Sequence, residues 1–507
     1  MNASTKKLGL IAGGAVAVVV ILALVVGVPM WERSQAKNIQ DFLTSLPGDV
    51  KAEKVDVSFF GSSVTISNLT ASFSFMPGMN YSLKIAKAEA AGVSLSAAKT
   101  MSVTTLADSL SISDFSFESS IEDIVQKGVL KEMSLRNIRM NLGALVDSVQ
   151  NKKGFAALFS SLASLQIGHL AYVDYVVSMD FGMSPLVISI ASVEGKDVGL
   201  LKCGPMSLND TKAKFMGKDV FSLQNMSVSR VSVPDFFTPL LAFEDNPYMM
   251  QMQMPGILQQ KFSQEPMIME GFVLKGLYVG GFIDTPVTME SFSMDLNIGG
   301  DAIIIKSATN SLVLPPLVLE QMGSEWRSFA KVYGKALDLS GMMDLQFVMN
   351  GDTVNIAFTG EGSDKNLGNG QADWVLSLPA AGAKTIFDAM GRATPFIHSA
   401  SLHLVDTGML AAMFDASYDY ESRWGTEEGI NSGADMRRMA AEECFEEARE
   451  AGTKEHAAVL NGFGTFLQKG GTLDIKVTTS KPVSMEVMDE PELLNAGDIT
   501  VTVENKQ

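Results

Sequence analysis

The sequence has few of the residues on which catalytic and metal sites depend. Two cysteines, Cys203 and Cys444, and four histidines occur in 507 residues, and no CxxC or Cys/His spacing typical of zinc sites is found. GxSxG, P-loop, GxGxxG and HExxH motifs are also absent from the sequence. We therefore predict no enzymatic activity, no bound metal and no cofactor. The two thiols are expected to be free and buried, with a disulfide between them as the alternative.

Clusters of basic residues are missing as well. The chain carries 39 Lys and Arg against 57 Asp and Glu, which gives a net charge of −18. Phosphate neutralisation requires clustered Lys and Arg, so the composition argues against nucleic acid as a partner. It argues equally against polybasic attachment to anionic lipid.

One long apolar segment lies near the N-terminus, at residues 8–30. A helix of this length spans about 35 Å and can cross a hydrocarbon core of about 30 Å. Trp31 follows the segment in the position of an interfacial anchor. We predict a single-pass membrane anchor that includes Leu8, Ile21 and Trp31, with a cleaved signal peptide as the alternative.

From about residue 53 the apolar residues recur with a period of two, which is typical of β-strands. An eight-residue pattern has apolar residues at positions 1, 3, 6 and 8, and its copies begin at Val64, Leu110, Met133, Leu165, Phe221, Met267 and Val287. Apolar side chains before and after the central polar residue can share a face only if the strand has a bulge or bend there. The pattern predicts such bends at Asn68, Asp114, Asn137, His169, Asn225, Gly271 and Ser291.

Other local signals predict a hairpin and several helices. Asn350-Gly351 separates two alternating runs, which is the strongest short hairpin signal and predicts a hairpin over 345–358. Helical spacing of apolar residues predicts helices over 121–130, 142–165, 319–337, 434–450 and 453–468, and a strand follows at 472–478.

These signals together predict a mainly β fold with interspersed helices (α+β). The predicted architecture is a curved, elongated antiparallel sheet, similar to a groove or taco, that follows the N-terminal transmembrane helix. The predicted segments are a cytoplasmic tail at 1–7, the transmembrane helix at 8–30, an amphipathic stub at 31–52, a repeated-strand body at 53–315, and a C-terminal α+β region at 316–507 that contains the hairpin 345–358 and the helices 434–468.

The organisation resembles that of the AsmA-like and YdgA-like proteins of Gram-negative envelopes. A short basic start, one membrane helix and kinked-strand repeats are shared with them, as is an Asp-x-Gly before a helix at Asp406-Thr407-Gly408. The closing segment from Phe466 to Val483 is similar to their helix–strand–proline segment. The resemblance implies a body in the periplasm, anchored in the inner membrane, with a role in lipid transport or outer-membrane homeostasis.

The leading hypothesis is that the sheet holds phospholipid or lipopolysaccharide acyl chains on an apolar inner face. The residues expected to line this groove come from the first two copies of the pattern, namely Val64, Ile66, Leu110, Ile112, Phe115 and Phe117. The alternative is a non-enzymatic structural or assembly factor that binds other envelope proteins. Its binding surface would include the Met-rich segment at 248–254, where methionine acts as an adaptable apolar side chain.

Overall fold

The structure, a computed structural model, describes residues 49–58, 63–76, 79–94, 101–121, 124–141, 143–144, 163–180, 182, 184–235, 239, 247–281, 285–391, 394–425, 429–485 and 499–506. The chain divides into two units, residues 1–258 and 259–507. The segment 8–30, with Leu8 and Ile21, lies outside the described residues, as do Trp31 and most of the helix predicted over 142–165. Within the ranges just given, no helix has the length and apolarity needed to cross a membrane.

The first unit is built from long antiparallel strands. Its strands are β1 (Asp49–Val57), β2 (Ser63–Met76), β3 (Met79–Ala91), β4 (Thr104–Ile121), β5 (Ile124–Met140), β6 (Gln166–Asp180), β7 (Pro185–Gly199), β8 (Lys202–Cys203), β9 (Met206–Phe215), β10 (Lys218–Val228) and β11 (Arg230–Ser232). Consecutive strands pair from β1 to β7, then β7 pairs with β9 and β9 with β10. The short strands β8 and β11 pair with each other.

A row of bends crosses this sheet at one level. Its members with positive φ are Asn68 on β2, Asp114 on β4, Asp174 on β6 and Asp210 on β9, with φ between 47° and 54°. The pairs on either side keep the same register across each of these positions. Asn and Asp tolerate the left-handed conformation better than most residues. The positive-φ residues therefore fall on every second strand, and the strands between them bend at the same level.

The bends keep one face of the sheet apolar along its length. Ile66 and Leu69 stand on opposite sides of Asn68, yet they are 3% and 0% exposed and pack in one cluster. A regular strand would place them on opposite faces, because side chains alternate with a period of two. The left-handed residue reverses this alternation without inserting a residue. The predicted bends at Asn68 and Asp114 are thus confirmed, as bends that keep the register.

A second row lies six residues further along some of these strands. Asn137 on β5 and Asp197 on β7 have φ of 53° and 49°, and Gly168 lies between them on β6. A Cβ on Gly168 would stand 2.9 Å from the Cβ of Asn137, so only glycine fits opposite this bend. The predicted bend at Asn137 is confirmed, whereas His169 is not the bent residue of its own copy.

The same correction applies to two other copies. Asn225 and Ser291 do not have positive φ, and the reversal occurs one residue earlier, opposite Asp210 and Ser311, whose φ values are 47°. A left-handed residue on one strand also reverses the alternation of side chains on its antiparallel neighbour. The sequence pattern of a single strand therefore cannot show which of the two strands carries the left-handed residue. Gly271 has a φ of 61° and forms a true bulge, in which its N–H donates to Asp295 Oδ1 at 2.6 Å.

The second unit consists of an antiparallel sheet and helices. Its strands are β12 (Met267–Val279), β13 (Val287–Ile298), β14 (Ala302–Leu314), β15 (Leu337–Asn350), β16 (Thr353–Asp364), β17 (Gly368–Pro379), β18 (Phe396–Asp406), β19 (Gly471–Ser484) and β20 (Ile499–Lys506). They pair in chain order. The helices whose bounds lie within the described residues are α1 (Pro247–Gln264), which contains the division between the units, and α2 (Pro316–Met322), α3 (Ser324–Tyr333), α4 (Ile386–Met390), α5 (Met409–Glu421), α6 (Gly433–Glu450) and α7 (Lys454–Lys469).

Most of the remaining local predictions agree with this structure. The fold is mainly β, antiparallel and interspersed with helices, as predicted. The hairpin at Gly351, the helices α6 and α7 and the strand β19 are confirmed, and the helix predicted over 319–337 is present as two shorter ones, α2 and α3. Cys203 and Cys444 are free, as predicted, but half-buried rather than buried.

The helix predicted over 121–130 is wrong, because β4 ends and β5 begins within that range. Ile121 and Ile124 are three residues apart because they pair across the turn between the two strands, and Val125 follows. This spacing imitates the i, i+3, i+4 spacing of a helix.

Candidate ligand-binding cavity

The six residues predicted to line a groove lie together in the first unit. Ile66, Leu110, Ile112 and Phe115 are 2–8% exposed, and Val64 and Phe117 are half-buried against them. Ile66 and Ile112 both face Ala88 from its two neighbouring strands, and the rings of Phe115 and Phe117 are 5.9 Å apart. They belong to a packed cluster drawn from β1–β5. Their role in lipid binding stays a prediction.

A cavity of about 450 Å³ borders this cluster, and Phe117 is the one of the six residues that lines it. Most of its lining residues are polar or charged, and they include the ion pair between Lys127 and Glu118, whose nitrogen and oxygen are 3.3 Å apart. Along β6–β10 the apolar side chains of the same face are mostly half-exposed.

A larger and more apolar cavity lies in the second unit. Its volume is about 810 Å³, and it is bounded by α3 and α5 on one side and by β15–β18 on the other. Ligand sites in proteins commonly have volumes of about 300–1,000 Å³ and mainly apolar linings with a few polar groups. In volume and lining the cavity is therefore of the kind that binds small molecules.

Glycines form the floor of this cavity. Gly362 on β16 is paired with Gly341 on β15 and with Gly370 on β17, so the three stand in one row on one face. Gly368 lies two residues from Gly370 on the same face of β17 and is paired with Asp364. Paired residues on neighbouring strands would otherwise fill this space with side chains. The absence of side chains at Gly362 and Gly370 leaves it open.

The open space is most evident above Gly362. A Cβ built on this residue meets no heavy atom within 4 Å. By contrast, a Cβ on Gly360 would lie 2.6 Å from the ring of Phe358, which covers the neighbouring part of the sheet and stacks on Trp374 at 5.1 Å between centroids. The aromatic layer thus ends where the cavity begins.

The walls come from the two helices that face the glycines. Trp326 and Phe329 on α3 contact each other edge to face, with 6.0 Å between ring centroids, and Met409, Met413 and Tyr420 line the cavity from α5. Trp326 is 42% exposed and Met413 is 53% exposed. Large apolar side chains thus remain in contact with water at this cavity.

The chain enters α5 through the Asp-x-Gly element that the sequence identifies. Asp406 ends β18, and its Oδ1 accepts hydrogen bonds from the N–H groups of Gly408 at 3.1 Å and Leu410 at 3.0 Å. A carboxylate at this position satisfies free N–H groups of the first turn and interacts favourably with the helix dipole. This cap fixes where α5 starts, and hence where Met409 and Met413 lie.

An ionic contact joins the two helices. Asp419 on α5 accepts hydrogen bonds from Lys331 of α3 and from Arg423, and Arg423 also donates to Ser328 Oγ at 2.9 Å. The hydrogen bond from Lys331, together with those from Arg423 and Ser328, lowers the pKa of Asp419 to about 2. The carboxylate therefore holds the cavity walls together over the whole neutral range.

Asp364 is the buried acid of the cavity lining, and its oxygens are occupied. Oδ1 accepts from the N–H groups of Asn366 at 2.8 Å and Leu367 at 3.1 Å, and Oδ2 accepts from that of Asp338 at 2.7 Å. The two bonds to Oδ1 close the turn between β16 and β17, and the bond to Oδ2 joins β16 to β15. The segment 360–370 is thus two strands joined by a turn, and Asp364 has a structural role there.

The histidines do not form a shared site. His169 contacts Glu194 at 3.2 Å, His398 contacts Ser377 at 2.8 Å, and His403 contacts Asp474 at 2.5 Å. Each is a pair between neighbouring strands. In the described part of the chain, no group of three or more His, Cys, Asp or Glu side chains is placed to hold a metal ion.

Comparison with known proteins finds no protein-family model and no curated protein that matches this chain. The structure accordingly defines a mainly β, antiparallel protein with interspersed helices and a glycine-floored cavity in its second unit.

Proposed function

We propose that this chain is a non-enzymatic lipid-handling protein that holds the apolar part of a lipid in the cavity of its second unit. The observation that carries the proposal is the pair of Gly362 and Gly370 under a wall of aromatic and Met side chains. Glycine inside a strand costs about 0.5–1 kcal/mol relative to alanine. Glycines inside strands often mark the close approach of a ligand or of another backbone.

The chemistry of the wall favours an alkyl or acyl chain as the bound group. Met side chains are flexible and polarizable and adapt to ligands of variable shape. Exposed Trp326 and Met413 would be removed from water by such a ligand, and each Å² of buried apolar surface contributes about 25 cal/mol. A cavity of about 810 Å³ is large enough for a drug-sized ligand.

The cellular setting that we propose follows from the sequence. The apolar segment at 8–30 would anchor the chain in the inner membrane, with its N-terminus in the cytoplasm and its body in the periplasm. The likeness to AsmA-like and YdgA-like envelope proteins supports the same placement. Phospholipid or lipopolysaccharide acyl chains are then the ligands within reach of the anchored protein.

The first unit would contribute a second apolar surface. Its bends keep apolar residues on one face, and a curved groove formed by that face would extend the surface available to acyl chains. Val64, Ile66, Leu110, Ile112, Phe115 and Phe117 belong to the packed part of this face, and the half-exposed residues of β6–β10 to the open part.

A test is native mass spectrometry of the full-length protein extracted from membranes, compared with two variants. Gly362→Leu places a side chain in the cavity, whereas Gly256→Leu adds the same side chain on α1, where a Cβ also meets no heavy atom within 4 Å. We expect co-purified lipid in the wild type and in Gly256→Leu, and at least a tenfold lower occupancy in Gly362→Leu. Equal occupancy in all three proteins, or none in the wild type, would contradict the proposal.

A second candidate function is that of a scaffold for other envelope proteins. It is favoured by helix α1, on which Tyr248 and Met252 are 70% and 59% exposed. Exposed apolar side chains grouped on one helix are typical of protein-binding surfaces. A protein that is folded but lipid-free in the experiment above would favour this function.

A further inference from the structure

The charges around the cavity restrict the head group of its ligand. Three acids line it, Glu325, Asp364 and Glu421, and the lining residues, all of which the structure describes, include no Lys, Arg or His. Asp364 is occupied by backbone N–H groups. Glu325 and Glu421 are exposed, and neither forms an ion pair with another described residue. The two free carboxylates thus mark the part of the cavity that faces water.

The basic residues at the contact between the two helices are engaged there. Lys331 and Arg423 both bind Asp419 at the contact between α3 and α5. Neither lines the cavity, and each would have to leave Asp419 to serve as a counter-charge for an anionic head group. An anionic head group in this cavity would meet the carboxylates of Glu325 and Glu421, and like charges interact unfavourably.

A cationic head group would be attracted by the same carboxylates. Trp326 and Tyr420 are aromatic lining residues next in sequence to Glu325 and Glu421. Ammonium groups bind to aromatic faces, and cations are attracted to carboxylates. The apolar floor and walls would hold the tail of the same molecule.

We propose that the cavity selects amphiphiles whose head group carries an ammonium group and no net negative charge. This inference rests on the proposed lipid-binding function and specifies the class of lipid. Zwitterionic and cationic amphiphiles belong to this class. Fatty acids and lipids with a net anionic head group do not.

The test is displacement of the neutral fluorescent probe N-phenyl-1-naphthylamine from the full-length protein in a non-ionic detergent. The competitors share a twelve-carbon chain and are dodecyltrimethylammonium, dodecylphosphocholine and dodecanoate, each below its micelle concentration. We expect the first two to displace the probe at concentrations at least about tenfold lower than dodecanoate. In the variant Glu325→Gln/Glu421→Gln this difference should shrink to less than about threefold.

The matched control is Glu446→Gln/Glu450→Gln, which changes the net charge equally at two exposed positions of α6. It should keep the full difference between the cationic and anionic competitors. Equal displacement by all three competitors in the wild type would overturn the proposed selectivity while leaving lipid binding intact. Failure of the wild type to bind the probe, or binding that Gly362→Leu does not reduce, would instead overturn the lipid-binding function itself.

Discussion

Gly362 lies directly opposite Gly370 on the adjacent strand, and helices α3 and α5 face this pair across an open cavity. Strand pairs in a sheet are normally stabilised by side chains that contact each other across the strands. Gly362 and Gly370 have no side chains and therefore lack that contact. A ligand that fills the space would recover the lost burial, which is why the pair is central to the proposed function.

The glycines of this region should respond to substitution in opposite ways. Gly362→Leu meets open space, so we expect its free energy of unfolding to be unchanged or raised by up to about 1 kcal/mol. Gly368 has a φ of 129°, and a Cβ added there would lie 1.9 Å from the carbonyl oxygen of Val405. We therefore expect Gly368→Ala to lower the free energy of unfolding by about 2 kcal/mol or more. Urea unfolding of both variants, monitored by Trp fluorescence, checks the contrast, and similar losses in both would contradict the open floor.

The bends of the first unit can be tested at Asp114, whose φ is 50°. Asp114→Gly should keep the free energy of unfolding within about 1 kcal/mol of the wild type, since glycine adopts positive φ without steric cost. Asp114→Val should lose about 1–2 kcal/mol or more, because a β-branched residue is strained there. The control is Ser116→Val on the same strand, where φ is not positive and Val is favourable. Equal effects of Val at positions 114 and 116 would argue against a left-handed residue.

The contact between α3 and α5 predicts a dependence of stability on pH. The pKa of Asp419 falls from 3.8 to about 2 on folding, so the stabilisation is fully present above about pH 4 and is lost as the pH falls towards 2. The contribution should be about 1 kcal/mol or less, because solvent screens the pair. We expect the difference in unfolding free energy between wild type and Asp419→Asn to be constant from pH 5 to 7. It should decline between pH 4 and 2, and a difference that stays unchanged at pH 2 would exclude this carboxylate as its source.

Much of the fold follows from local sequence signals. Asn350-Gly351 places the hairpin of β15 and β16, where Gly351 has a φ of 62°. The alternating runs on both sides of it fix which residues share a face. The acids of α6 and its opposite apolar side chains likewise predict a helix almost to its observed ends. In both cases the decisive interactions lie within a few residues along the chain.

The cavity could not be predicted in the same way. Gly360-x-Gly362 and Gly368-x-Gly370 place glycines at alternate positions of two consecutive strands, which is the signal that would have found the floor. In the sequence alone this segment is typical of a flexible loop. The position of the glycines under α3 and α5 depends on the pairing of β16 with β15 and of β17 with β18. This pairing is set by contacts between residues that are distant in sequence.

The rows of left-handed residues also constrain how such a chain can change in length during evolution. In the first row the positive-φ residues occupy β2, β4, β6 and β9, so the repeating module is a pair of antiparallel strands. Duplication or deletion of one strand would reverse the direction of every later strand and put its bend out of phase with the row. Gain or loss of a whole hairpin preserves both. Homologous chains of different length are therefore expected to differ by even numbers of strands, with Asn, Asp or Gly retained at each bend.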